Sequence, residues 1–151
     1  QFHHHPYWLL VTTGGALEIG SHLTRYGTYA ELAAAILRQT GFDDRLLIAV
    51  TSPPGLTKDR TYGSAVALRD WLRNAYPELK QIDVLTLGTH ARRTRLLFKK
   101  ALGDSISVGI IAVQDRDFDP DRWWMSSSGF RTVLDEGIAY FYARFLFHPD
   151  S

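Results

Sequence analysis

The chain has 151 residues, no cysteine, and 17 basic against 16 acidic side chains, for a formal charge of +1. That length fits one domain spanning 1–151, and a hydrophobic content of 45% is ample for a core. Disulfides and thiolate metal sites are excluded, a charge-based case for nucleic acid is lacking, and no run reaches the ~20 apolar residues of a membrane span. No secretory signal is visible, and His3, His4 and His5 fall in a short N-terminal tail (1–6) as surface residues.

Tyr7 to Thr13 reads as a strand, aromatic and apolar, closed by Gly14-Gly15. A glycine pair there either lets backbone N–H groups turn toward a ligand or is a plain strand-ending turn. Gly15 to His22 falls short of a P-loop, because Ser21 stands where the phosphate-binding lysine belongs. Thr28 and Glu31 have capping-box spacing at the head of a helix ending at Gly41, with Tyr29, Leu32, Ala33 and Ile36 as its apolar face. Glu31 is therefore a structural cap before it is a catalytic acid. Leu46 to Val50 is apolar throughout, as in a strand covered on both faces. Asp59, Arg60 and Thr61 then open a helix carrying Ala65, Leu68, Leu72 and Ala75 and stopped by Pro77; Asp59 and Arg60 are expected to pair with each other.

Ile82 to Leu87 and Ile106 to Val113 are the third and fourth strands. Between them, Thr86 to Gly103 holds the most chemistry. Thr89 is the expected N-cap, Ala91, Thr94, Phe98, Ala101 and Leu102 repeat at helical spacing, and Gly103 is the stop. Lys99 and Lys100 suit the last turn, whereas Arg92, Arg93 and Arg95 crowd the first two, where the helix dipole already presents positive potential. An anion held by free N–H groups and guanidinium forks makes sense of that placement; a solvated basic face is the alternative.

Asp115, Asp117, Asp119 and Asp121 alternate like calcium ligands, but Pro120 replaces the loop glycine and Ser126 the bidentate glutamate. A solvated acidic loop is expected, and no metal site. The last helix, within 129–147, has Phe130, Val133, Leu134, Gly137, Ile138 and Phe141 as its expected core stripe, with Ile138 against the sheet. Tyr140, Tyr142, Phe145, Leu146 and Phe147 make an aromatic end suited to packing on protein or membrane.

Strands alternating with helices predict an α/β fold with a mainly parallel sheet. Each polar cluster follows a strand, so Gly14-Gly15, Asp59-Arg60-Thr61, His90-Arg93 and the Asp115 loop are expected to share the carboxyl edge, where ligands bind in such folds.

Thr86, His90 and Arg93, spaced Thr-x-x-x-His-x-x-Arg after a strand, resemble the core signature of the YdcF/SanA/ElyC family of bacterial proteins. The likeness extends over roughly 9–147. Val11-Thr12-Thr13-Gly14-Gly15 is similar to the family's Ser/Thr-Gly-Gly strand, Glu31 to its recurrent acidic residue, and Asp59 to Ala65 to its Ser/Arg-x-Thr-x-x-Asn-Ala segment, with Ser64 where Asn is common. Trp123, Trp124 and Glu136 look like its C-terminal Trp and helix-borne Glu. The resemblance implies a Rossmann-like three-layer sandwich, often behind a membrane anchor, and a link in some members to the bacterial envelope. It also implies a further strand before Tyr7, next to the switch point of the sheet. Its absence here is expected to leave a fragment, or a vacancy closed by rearrangement, by a membrane or by a partner chain.

The function expected is binding of a phosphate-bearing or nucleotide-like small molecule, with hydrolase or transferase chemistry. Arg93 would clamp the anion, with Gly14, Gly15, Asp59, Arg60, Thr61, Thr86 and Thr89 around it and His90 as proton carrier. The cofactor is left unknown by the sequence. A non-catalytic adaptor, docking a membrane or envelope partner through the aromatic last helix, is the other reading.

Overall fold

A computed structural model describes residues 2, 6–18, 24–53 and 59–149. His3–His5, Ser21 and His22 lie outside the described residues. The chain is mixed α/β, built from two pairs of short parallel strands and the helices that cover them, and it divides into two compact units, 1–77 and 78–151.

In the first unit β1 (Leu10–Gly14) pairs in parallel with β2 (Leu47–Thr51), Leu10 opposite Leu47 and Gly14 opposite Thr51. Parallel pairing requires a crossover, and α1 (Tyr29–Gln39) supplies it. The expected capping box forms: Thr28 Oγ1 accepts from the Glu31 N–H, and the Glu31 carboxylate accepts from the N–H groups of Gly27 and Thr28. The buried face is not the expected one. Ala30, Ala34 and Ala35 face inward, while Tyr29 and Ile36 are 42% and 52% exposed. The helix comes so close to β1 that only small side chains fit beneath it. α2 (Arg60–Ala75) buries Gly63, Ser64, Ala65, Leu68 and Leu72, with Ala75 outside. Asp59 caps α2 by accepting from the Tyr62 N–H, and Arg60 pairs with Glu18 at 3.1 Å, so the expected Asp59–Arg60 pair does not form. A cap satisfies an orphan helix donor, which a solvent-exposed ion pair would leave open.

In the second unit β3 (Gln81–Leu87) pairs in parallel with β4 (Ser107–Val113), Leu87 opposite Val113. Between them α3 (Ala91–Leu102) buries Ala91, Thr94, Leu97, Phe98, Ala101 and Leu102 over Val108, the face its spacing predicts. Gly103 ends it at φ 70°, a left-handed turn that favours glycine. The chain then passes Asp115–Asp119 and a 3-10 segment (Pro120–Met125) into α4 (Ser127–Phe141), which continues as a π-helical turn (Tyr142–Leu146). Lys100 Nζ donates to the Phe147 carbonyl at 2.6 Å and ties that end to α3.

The stripe expected to be the core face of α4 is largely exposed, Val133 alone among its members being half-buried. Ile138 is 70% exposed, and Phe130, Leu134 and Phe141 are 49%, 45% and 59%. The inner side carries Gly129, Glu136, Tyr140 and Ala143 instead. With Ile138 in the open, a carboxylate in its place would not be buried, and the destabilisation that a core position implies does not follow. Among the described residues no helix is long and apolar enough to cross a membrane.

Candidate functional site

The β3–turn–α3 segment places the site of the second unit. Gly88 and His90 close the turn, with the Gly88 N–H donating to the Val113 carbonyl and the His90 N–H to the Leu87 carbonyl. The N-cap position falls on His90, whose backbone angles are helical rather than the extended ones of a side-chain cap, and no side chain caps α3. Thr89, expected in that role, stands one residue too early; its buried Oγ1 has no hydrogen-bond partner. α1, α2 and α4 are each capped by a side chain, from Thr28, Asp59 and Ser126.

Glu136, on α4, gathers the chemistry. Arg93 donates to it through Nε (2.8 Å to Oε2) and Nη2 (3.0 Å to Oε1), a two-pronged pair. His90 Nδ1 lies 2.7 Å from the same Oε1. An ionised carboxylate can only accept, so Nδ1 carries the proton, and in the neutral form of the ring the lone pair stands on Nε2. Burial is the largest influence on Glu136 and pushes its carboxyl up. The Arg93 hydrogen bonds and charge, with His90 behind them, together outweigh burial and hold it below its ordinary value. The group is thus ionised at neutral pH, 13% exposed, and held from two sides.

This chemistry predicts a pH dependence with a definite sign. A carboxyl depressed in the folded state adds stability that is complete above its ordinary value of 4.5 and is lost as pH falls through the folded value. The difference in melting temperature between wild type and Glu136→Gln should therefore be constant near neutrality and shrink on acidification below 4.5. A difference that grows in acid would mean that Glu136 is not held as a carboxylate.

A cavity of ≈ 460 Å³ opens beside the cluster, lined among others by Thr89, Arg92, Arg93, Asp115, Glu136 and Tyr140. Of the strand-following clusters His90-Arg93 and Asp115, the second unit brings Arg93 and Asp115 to this one cavity. Arg92 is the exposed first-turn guanidinium on the cavity, since the fork of Arg93 is occupied by Glu136. His90 touches the cavity through Glu136 rather than lining it, and Thr86, opposite Ala112 on β3, does not line it. Asp115 accepts from the Asp117 N–H and Asp119 from the Asp121 N–H, loop-turn bonds of the kind short acids make. Among the described residues no three His, Asp or Glu side chains gather as metal ligands.

Gly14, Gly15, Glu31, Asp59, Arg60 and Thr61 belong to the first unit. There the Ser52 N–H donates to the Gly14 carbonyl at 3.2 Å, the Gly15 carbonyl accepts from the Tyr29 N–H at 2.9 Å, and the buried Ser52 and Ser64 hydroxyls meet at 3.2 Å. Ser64, standing where Asn is common in the resembled family, is thereby satisfied within the chain. Glu31 is committed to its capping box.

No family model, curated relative or solved structure matches the chain. The site must therefore be read from its own geometry. Gln114 and Tyr140 line the cavity with no mark in the sequence, whereas Arg92 stands out there only within the basic cluster and Glu136 only through the family resemblance. For Glu136 a further signal existed, as a lone acid on the inner side of a helix that is otherwise apolar there.

Proposed function

We propose that the chain binds a phosphate-bearing or nucleotide-like small molecule in the cavity at the carboxyl ends of β3 and β4. The observation that carries this reading is Glu136 holding the Arg93 fork and the His90 ring at once. A carboxylate-oriented imidazole with a free Nε2 is the arrangement that general acid–base chemistry needs, and His90 would carry the proton in a hydrolytic or transfer step. With Arg93 neutralised, the anion falls to Arg92 and to the uncapped N–H groups of α3. Asp115 opposes it with one negative charge, which favours a ligand bearing donors beside its phosphate. The Rossmann-like sandwich and membership of the YdcF-like, envelope-related kind remain part of this proposal. Its support is that Thr89, His90, Arg93 and Glu136 converge around one turn.

Calorimetric titration with inorganic phosphate and nucleoside monophosphates tests it. Arg92→Ala should weaken binding by about 1.5–3 kcal/mol, the range for a hydrogen bond to a charged group. No binding to wild type, or equal binding to Arg92→Ala, refutes the site. The exposed face of α4 favours a second reading, a non-catalytic adaptor, which predicts no small-molecule binding.

A further inference from the structure

Five apolar side chains of α4 and the π-helical turn, Phe130, Leu134, Ile138, Phe141 and Phe145, share one helix face at spacings of four, four, three and four. All are open to solvent, Ile138 at 70% and Phe145 at 57%, with Leu146 beside them at 64%. At such exposures the face amounts to roughly 650 Å², more than the ~300–600 Å² of the largest patch on a typical monomer and close to the ~800 Å² each partner gives a standard interface.

The stripe is nearly symmetric about the Gly137–Ile138 bond, Ile138 alone having no apolar counterpart across it. Laid antiparallel on itself, the stripe sets Phe130 opposite Phe145, Leu134 opposite Phe141, and Ile138 over Gly137 of the second copy. Gly137 is exposed, and a Cβ there would meet nothing within 4 Å. Nothing packed within the chain therefore requires glycine in mid-helix, where it is unfavourable; close approach of a second helix, or of a ligand in the cavity that Gly137 also lines, would. The charged rim, Arg131, Asp135 and Arg144, has mixed sign. It lacks the lysine- and arginine-rich flank that lays a helix on anionic lipid.

We propose that the chain forms a two-fold symmetric homodimer by antiparallel packing of α4 on α4 of a second copy. Each copy offers the same patch, as a closed two-fold contact demands.

Sedimentation equilibrium of the chain at micromolar concentration should give twice its 17.1 kDa mass. Ile138→Glu should keep the wild-type circular dichroism and raise the dissociation constant at least about 30-fold. Because the chain has no cysteine, Ile138→Cys should cross-link to itself on oxidation, whereas Asp104→Cys, exposed beyond α3, should not. A monomeric wild type overturns the proposal, and a monomer that floats with phosphatidylglycerol vesicles assigns the face to membrane instead. A dimer indifferent to both Ile138→Glu and Phe141→Glu overturns it as well.

Discussion

Glu136→Ala is expected to destabilise the second unit by about 2–4 kcal/mol, the scale for removing one partner of a largely buried, hydrogen-bonded ion pair. The cost does not come from the lost carboxylate alone. Arg93, with its side chain 18% exposed, keeps its charge and has its fork left open on the side where Glu136 stood. His90 loses the acceptor on Nδ1, so nothing on α4 fixes its tautomer. Two readouts separate these effects. Chemical denaturation reports the pair, and nitrogen-15 shifts of the imidazole report the proton on Nδ1. Glu136→Gln keeps one acceptor oxygen and should recover part of the tautomer signal but little of the stability. If Glu136→Ala unfolds at the wild-type denaturant midpoint, the three-residue cluster does not hold α4 to α3, and the case for an oriented imidazole fails with it.

That cluster shows where sequence reading stops. Thr28 and Glu31 are three residues apart, and their capping box follows from local geometry alone. The buried side of α3 is equally legible, because period and burial coincide when one helix covers one strand pair. Glu136 stands 43 residues from Arg93, and nothing local in either segment announces the other. Residue types flagged His90 and Arg93, but their use depends on a carboxylate that only tertiary packing delivers. The α4 stripe fails for a different reason. Periodicity identifies an apolar face and says nothing about whether the chain covers it; here α4 turns Glu136 and Tyr140 inward and leaves Ile138 outside. Alternating strands and helices likewise predicted parallel pairing, which β1–β2 and β3–β4 obey. The alternation does not fix how many strands join one sheet, and the described strands form two pairs rather than one run.

Gly14→Ala should be far more damaging than Gly15→Ala, although the two look interchangeable as a strand-ending pair. A Cβ on Gly14 would stand 2.7 Å from the Tyr29 Cβ, 3.0 Å from the Ala30 nitrogen and 3.3 Å from the Tyr29 carbonyl carbon. Two of these are backbone atoms of α1, so no side-chain rotation relieves the contact; the first turn of the helix must move. That displacement would strain the Thr12 hydroxyl, which donates to the Ala30 carbonyl at 2.9 Å, and the capping box beside it. Overpacking of this kind costs typically 1–3 kcal/mol. At Gly15 the nearest atom to a new Cβ is the Ser52 Cβ at 3.9 Å, an ordinary contact, and Gly15 is not among the glycines with positive φ. Alanine there is expected to be neutral or to stabilise by up to about 1 kcal/mol, through lost freedom of the unfolded chain. Paired denaturation curves decide the matter. Should Gly14→Ala keep full stability while abolishing phosphate binding, Gly14 serves a ligand, and its closeness to α1 is incidental.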